Sequence, residues 1–193
     1  MIHWWNVFKT MWTKRTQKKQ MPRSSCQQSL QGIDLTPNPL RPAYLIRGAT
    51  YEDLFSFVPL QRAAYEGYVA WGTQDFLKDW TTNPGVWYLV ILDQATHQLI
   101  GLCTGRIDHE KAHLSQLLIR PDYQQKGLGK ELFKIWLAGL EQMGAQQIRL
   151  EVRKSDQKVQ QFYKQFDFEV IATRKNYYPS LNDDAYIMQW QKG

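Results

Sequence analysis

The clearest chemical pattern in the sequence is a glycine-containing turn between an apolar segment and a long amphipathic one. It runs LLIRPDYQQKGLGKEL from Leu117 to Leu132. The apolar segment predicts a strand that ends before Pro121, and the spacing of apolar residues from Leu128 to Met143 predicts a helix. The first turn of a helix offers unpaired backbone N–H groups and the positive end of the helix dipole. The turn is therefore a candidate anion site.

Two glycines and two lysines strengthen the prediction of an anion site. Gly127 and Gly129 lack the Cβ atoms that would hold a phosphate away from the backbone, and Lys126 and Lys130 add positive charge. The turn is not a P-loop, because GxxxxGK followed by Ser or Thr is absent, and it is not the dinucleotide GxGxxG fingerprint. The order strand, proline, Gln-x-x-Gly-x-Gly and amphipathic helix is a more specific signal than two glycines alone.

Two residues further along the chain, Glu151 and Tyr163, have side chains that can move protons. The segment QIRLEVR, residues 147–153, alternates between apolar and polar residues, which predicts a strand with Glu151 on the face opposite the apolar one. The alternative for Glu151 is a strand carboxylate paired with a neighbouring arginine. Tyr163 lies on the apolar face of a predicted helix, where the alternative is a core aromatic whose hydroxyl finds a partner.

The elements that must position these residues begin near Tyr44. Periodicity and turn residues predict a strand, two helices, three strands, a helix, a strand, a helix and two strands, in that order. This order is typical of an α/β domain with one mixed sheet covered by helices.

The first 42 residues differ from the rest of the chain and predict a basic, aromatic extension, separable from a domain at residues 43–193. Residues 1–40 hold six of the 24 Lys and Arg residues but one of the 18 Asp and Glu residues, so the net charge of +6 belongs mainly to this extension. Aromatic residues at helical spacing in residues 1–20 allow weak docking on a membrane surface or a partner. The alternative is a poorly ordered tail.

The glycine turn resembles the Q/R-x-x-G-x-G/A loop of the GNAT acetyltransferase superfamily, in which backbone amides bind the pyrophosphate of acetyl-CoA. A second stretch, LEVRKSDQKVQQFYKQFDFEVIATRKNYYP at residues 150–179, is similar to the RimI-type ribosomal-protein-alanine N-acetyltransferases. The resemblance runs from Tyr44 to the C-terminus. It implies a mixed, mostly antiparallel sheet with splayed central strands and flanking helices. It also implies transfer of an acetyl group from acetyl-CoA to a protein N-terminal α-amine, that of a ribosomal protein.

The resemblance also implies a role for each matching residue. Glu151 is the expected base for the amine, and Tyr163 is the expected acid for the leaving thiolate, by direct transfer without a cysteine nucleophile. The residues expected to bind acetyl-CoA are Leu117, Leu118, Ile119, Gln124, Gln125, Lys126, Gly127, Leu128, Gly129, Lys130 and Asp156. The residues expected to bind the substrate are Trp71, Tyr177 and Tyr178. Asp156 and Asp167 depart from the family pattern, which has Asn and Gly at these positions.

Several other classes of site and function are not expected. The four histidines, His3, His97, His109 and His113, show no metal-ligand spacing, so no metal is predicted. Nucleic-acid binding is not expected, because the basic excess lies outside the domain. Two cysteines form no disulfide framework, which fits a cytoplasmic protein.

Two alternative functions and the oligomeric state stay open at this point. One alternative is an acetyltransferase for small amines such as polyamines or aminoglycosides. Several acidic side chains lining an open groove would favour this alternative. The other is a non-catalytic acetyl-CoA-binding module, which loss of Glu151 or Tyr163 would favour, and both residues are present. The sequence leaves monomer and dimer equally open.

Overall fold

The structure, a computed structural model, describes Leu35 and residues 43–193. The predictions for residues 1–20 lie outside this part of the chain. The elements are β1 (Tyr44–Gly48), α1 (Leu54–Ala64), α2 (Thr73–Thr82), β2 (Val86–Asp93), β3 (Leu99–Asp108), β4 (Lys111–Ile119), α3 (Leu128–Gln142), β5 (Gln147–Arg153), α4 (Gln157–Lys164), β6 (Glu169–Tyr178) and β7 (Asp183–Gln191). Their order is the one that the sequence predicts.

All seven strands form one sheet in the order β1-β2-β3-β4-β5-β7-β6. Every neighbouring pair is antiparallel except β4 and β5, which are parallel. Helix α3 connects β4 to β5. A strand that runs parallel to the preceding strand needs a crossover connection of this kind. The prediction of a mixed, mostly antiparallel α/β fold is confirmed.

Strand alternation gives the sheet two apolar faces. Cys103 and the even-numbered core residues of β5 pack in one hydrophobic cluster with α3 and α4, whereas Leu102 packs in a second cluster with α1 and α2. On the first face, α3 lies very close to β2: a Cβ atom on Gly139 would be 1.6 Å from the indole ring of Trp87. A glycine is therefore required where this helix crosses the sheet.

An irregularity in β4 changes which of its side chains face each side. Leu114 and Gln116 pair with adjacent residues of β3, so Ser115 has no partner in this ladder. One extra residue reverses the alternation. Leu114 before it and Leu117 after it both pack on the α3 side. His113 and Gln116 consequently both face the side of α1 and α2.

The two central strands separate after a short pairing. β4 and β5 pair at three positions, the last of which joins His113 to Arg149. Beyond that point β4 continues to Ile119 and β5 to Arg153, and these remaining parts do not pair with each other. The splayed central strands that the family resemblance implies are therefore present, and the edge of β4 after His113 borders a gap in the sheet.

Leu35 precedes the predicted domain boundary and nevertheless contacts the domain. Its backbone N–H donates to the carbonyl oxygen of Ile46 in β1 at 2.6 Å, and its side chain is 3% exposed within the α3-side cluster. The boundary between residues 42 and 43 stays a prediction. Among the described residues, no helix combines the length and apolar character needed to cross a membrane.

Candidate active site

The turn before α3 has the backbone shape of an anion site. A 3-10 turn at Pro121–Tyr123 ends the strand, and Gln125 and Gly127 then adopt left-handed conformations with φ of 59° and 78°. Gly127 is the N-cap of α3, and no side chain caps it. The first backbone N–H groups of an α-helix have no intrahelical acceptor, so they are available to an anionic ligand.

The predicted cofactor-binding residues of this turn have distinct positions. Gln124 donates from Nε2 to the carbonyl oxygen of Ile119 at 2.9 Å, which ties the turn to the end of β4. A Cβ atom on Gly129 would be 3.4 Å from Ile119, so the helix start lies against the strand. Lys126 Nζ is 4.9 Å from the centre of the Tyr123 ring, and Lys130 lies exposed on the first turn of α3. The turn and the end of β4 thus form one continuous surface.

Glu151 lies on β5, just after the pairing between β4 and β5 ends. Its side chain is 14% exposed, and its Oε2 atom lies 2.7 Å from Nε2 of His113. Its Oε1 atom lies 3.8 Å from Nη1 of Arg174. The hydrogen bond with His113 lowers the pKa of Glu151; burial opposes this shift, and the charges of His113, Arg174 and Arg106 add to it. The side chain is therefore held as a carboxylate.

Tyr163, unlike Glu151, lies in a buried aromatic environment. It is 6% exposed, and its ring packs against the rings of Phe162, Phe133 and Phe168 at centroid distances of 5.1, 5.3 and 5.8 Å. Burial raises the pKa of Tyr163 well above its ordinary value, and the neighbouring Cys103 raises it further. The phenol therefore stays protonated throughout the neutral range.

Glu151 and Tyr163 lie on opposite faces of the sheet. Leu150 and Val152 pack with Tyr163 in the α3-side cluster, so Glu151 between them points toward the side of α1 and α2. The gap that forms where β4 and β5 separate connects the two faces. Glu151 therefore lies on one side of the sheet and the buried phenol of Tyr163 on the other.

The predicted substrate residues Tyr177 and Tyr178 border the carboxylate. They end β6, and their ring centroids are 5.0 Å apart. The guanidinium of Arg174, which approaches Glu151, also lies 5.1 Å from the centre of the Tyr177 ring. Burial raises the pKa of Tyr178, and the charge of Glu151 contributes to that shift. These tyrosines and Glu151 therefore belong to one site.

The third predicted substrate residue, Trp71, supports its loop from the inside. Its ring lies 5.3 Å from that of Phe76, and its carbonyl oxygen accepts a hydrogen bond from Nε2 of the buried Gln61 at 2.7 Å. Tyr65 and Tyr68 on the same α1–α2 loop are 39% and 42% exposed. These two exposed tyrosines are the better candidates for substrate contact, and the sequence analysis did not select them.

Asp156, where the family has Asn, is the N-cap of α4. Its carboxylate accepts the backbone N–H of Val159 at 3.0 Å and lies 3.5 Å from Nη2 of Arg153. Capping is a role that Asp and Asn fill equally well. The departure therefore leaves the start of the helix intact, while a contact between Asp156 and acetyl-CoA stays a prediction.

Three further polar residues lie on the carboxylate's face of the sheet or beside it, and the sequence analysis missed all of them. His113 and Arg174 contact Glu151. Gln116 is 5% exposed, and neither of its amide atoms has a hydrogen-bond partner among the described residues. Polar residues in an alternating strand are only a weak signal of a functional site. The register between β4 and β5, which places His113 beside Glu151, cannot be deduced from the sequence pattern.

No group of three or more His, Cys, Asp or Glu side chains is arranged to hold a metal ion within Leu35 and residues 43–193.

Comparison with known proteins identifies one matching family and related enzymes of known name. The model of the acetyltransferase (GNAT) family matches residues 51–168, more than half of the chain. The ribosomal protein bS18-alanine N-acetyltransferase of Escherichia coli (strain K12) is 30% identical over 113 residues, which are 58% of this chain and 76% of that protein.

Two solved structures share the fold. The crystal structure of the E. coli ribosomal-protein-S18-alanine N-acetyltransferase superposes with a TM-score of 0.69 at 23% identity, over 77% of this chain and 93% of that one. The PaiA N-acetyltransferase of Thermoplasma acidophilum, solved in complex with coenzyme A, has a TM-score of 0.61 at 20% identity. It covers 77% of this chain and 99% of its own.

Proposed function

Since the chain belongs to the acetyltransferase (GNAT) family and is an N-acetyltransferase, we propose that it moves the acetyl group of acetyl-CoA to a protein N-terminal α-amine. The observation that carries this proposal is the gap between β4 and β5. It has an anion site at one end, a carboxylate on one face and a protonated phenol on the other. The proposed protein substrate is the N-terminus of a ribosomal protein, as in the E. coli relative's name.

The residues of the gap fit acetyl-CoA. The backbone amides from Lys126 to Lys130 suit its pyrophosphate, because Gly127 and the helix start present N–H groups and a positive dipole. The edge of β4 at Leu117–Ile119 does not pair with β5, so its backbone groups suit the amides of the pantetheine arm. When bound, acetyl-CoA supplies an acetyl thioester at the gap.

The proposed proton transfers follow from the two environments. As the amine nitrogen forms its bond to the acetyl carbon, it loses a proton, which Glu151 accepts because the side chain is held ionised. As the carbon–sulfur bond breaks, Tyr163 donates its phenolic proton to the sulfur, because burial keeps the phenol protonated. An α-amine has an ordinary pKa near 7.7–8.0, so part of it is already neutral at pH 7 and a carboxylate is a sufficient base.

The charges beside Glu151 favour a protein N-terminus over a small polycationic amine. Arg174 approaches the carboxylate from β6, and Arg106 contributes positive charge from β3. A polyamine or aminoglycoside would be repelled by these arginines and would be favoured by several carboxylates. The exposed Tyr65 and Tyr68 and the ring pair at the end of β6 offer aromatic contact area on either side of a peptide.

A peptide assay tests the proposal. The protein is incubated with acetyl-CoA and a peptide that begins with alanine, and mass spectrometry locates the added acetyl group. We expect acetylation of the α-amine and no product from the same peptide with a blocked N-terminus, although its lysines are free. Faster acetylation of spermidine or an aminoglycoside would overturn the proposed substrate class. Binding of acetyl-CoA without any product from peptides or amines would favour the non-catalytic alternative.

A further inference from the structure

A histidine contacts the proposed base directly. His113 lies on β4 at the last position that pairs with β5, and its Nε2 atom is 2.7 Å from Oε2 of Glu151. The two side chains are 30% and 14% exposed, so the contact is largely shielded from water. With Glu151 ionised, the nitrogen at Nε2 must carry the hydrogen and donate it. The other ring nitrogen, Nδ1, is buried and has no hydrogen-bond partner among the described residues.

Two arginines and two tyrosines complete the surroundings of the carboxylate. Arg106 on β3 and Arg174 on β6 add positive charge at Glu151. Tyr177 and Tyr178 also sense the charge of Glu151, and burial raises the pKa of both. His113 contacts the carboxylate more closely than Arg174, which lies 3.8 Å from Oε1.

We propose that His113 is a positioning residue that orients the carboxylate of Glu151 for acetyl transfer. The inference rests on the proposed role of Glu151 as the base. The hydrogen bond fixes Oε2, and Oε1, which lies 3.8 Å from Nη1 of Arg174, is the oxygen left to accept the amine proton. The contact exists because His113 pairs with Arg149, which lies two residues before Glu151 on the same face of β5.

The hydrogen bond matters because a carboxylate without it can rotate about its side-chain torsions. A general base must lie within hydrogen-bond reach of the proton that it accepts. The donor on His113 holds the carboxylate in one orientation. Loss of this donor should therefore slow proton transfer while the groups proposed to bind acetyl-CoA stay as they are.

Two variants separate the hydrogen bond from packing. His113→Leu removes the donor, and we expect kcat to fall by about tenfold or more with the Kd for acetyl-CoA unchanged. His113→Gln has an N–H donor, and we expect it to recover most of the kcat lost in His113→Leu. Equal losses of kcat in the two variants would overturn the inference.

His109→Leu is the matched control. His109 lies in the turn that connects β3 to β4 and contacts Asp108 at 2.8 Å, but both side chains are exposed. Replacement of this second histidine beside a carboxylate should leave kcat as it is in the wild type. An equal decrease of kcat in both leucine variants would overturn the inference, because the effect would not be specific to the site.

A double variant shows whether His113 acts through Glu151. If it does, Glu151→Gln with His113→Leu is no slower than Glu151→Gln alone. Additive losses would overturn the inference. If Glu151→Gln alone keeps full activity, the proposed base is wrong. If Glu151→Gln is slow while His113→Leu keeps the kcat of the wild type, the base stands and only the role of His113 fails.

Discussion

Glu151 and Tyr163 are titratable residues that the protein keeps in opposite protonation states. The hydrogen bond and positive charges around Glu151 favour its ionised form, whereas burial favours the protonated form of Tyr163. Separate environments of this kind suit the proposed base and acid roles at a single bulk pH. The division depends on the sheet, which places the two side chains on opposite faces.

Substitution of either residue should slow catalysis without loss of acetyl-CoA binding. Glu151→Gln keeps size and hydrogen bonding but removes basicity, and Tyr163→Phe removes only the hydroxyl. We expect kcat/KM on an α-amine peptide to fall by about 10²-fold or more in each. Steady-state kinetics measures the loss, and calorimetry with acetyl-CoA confirms that the site is intact. Near-full activity of both variants from about pH 6 to about pH 9 would show that the reacting groups lie elsewhere.

The lowered pKa of Glu151 also affects stability. Because the unfolded carboxyl takes up a proton at higher pH than the folded one, the pair stabilises the folded state above the ordinary carboxyl pKa of about 4.3. That contribution is lost as the pH falls through the folded pKa. Wild-type Tm should therefore decrease more steeply than that of Glu151→Gln between about pH 5 and about pH 3. Parallel curves would mean that the ion pair adds no stability.

At the residue scale, sequence reasoning reached those side chains whose positions follow from local periodicity. Alternation in β5 predicted the face of Glu151, and the helical pattern of α4 predicted that Tyr163 faces the core. His113 was missed because its contact joins residues that are 38 positions apart in the chain and depends on the register between β4 and β5. Trp71 was selected as an aromatic loop residue; its partly buried ring packs against Phe76, and its contact with substrate stays a prediction.

The turn before α3 depends on backbone conformation more than on side chains. Gly127 has a φ of 78°, a region that residues with a Cβ atom rarely adopt, and it directly precedes the first helical amides. Gln124 holds the turn against Ile119, and the N-terminal end of α3 lies against the same strand. The same peptide groups thus form the helix start and the proposed pyrophosphate site.

Gly127→Val should weaken acetyl-CoA binding by more than its effect on folding explains. The new side chain would stand at the helix start, where the pyrophosphate is expected to approach the backbone. Gly144→Val is the matched control, because Gly144 has a φ of 95°, ends α3 and has open space around it. Both variants should lose about 1–3 kcal/mol of stability from backbone strain. Equal acetyl-CoA affinities in the two variants, by calorimetry, would contradict the assignment of the turn.

At the element scale, the sequence predicted the order of strands and helices and the helix marked by apolar residues from Leu128 to Met143. It did so because each element carries its own periodicity and its own end signals. The splay between β4 and β5 entered through the family resemblance, since strand pairing is a contact between distant segments. The close approach of α3 to Trp87 at Gly139 likewise becomes visible only when helix and sheet are packed together.

For the whole molecule, the position of Leu35 bears on where the independently folding unit begins. Its side chain lies in the α3-side core, and its N–H bonds to β1, although the basic excess of the chain lies in residues 1–40. Part of the predicted extension therefore contacts the domain, while the boundary between residues 42 and 43 stays a prediction. Charge and composition placed that boundary, and neither reports the burial of a single leucine.

Truncation tests this boundary. Deletion of residues 1–34 should leave Tm and acetyl-CoA affinity nearly unchanged. Deletion of residues 1–42 should lower Tm, because it also removes Leu35, and Leu35→Ala in the full chain should reproduce much of the effect. Loss of a buried leucine side chain typically costs about 2–5 kcal/mol, which corresponds to a decrease in Tm of several degrees. Identical melting of the two truncated proteins would contradict the core role of Leu35.

The gap between β4 and β5 also has a dynamic consequence. Three residue pairs join the four-stranded part of the sheet, β1 to β4, to the three-stranded part, β5 to β7. Contact by one ligand with both parts would restrict their relative motion, so acetyl-CoA should slow amide hydrogen exchange in β4 and β5 together. The peptide would then meet a more rigid groove, which favours ordered binding with acetyl-CoA first. Unchanged exchange in either strand would mean that the two parts already move as one body.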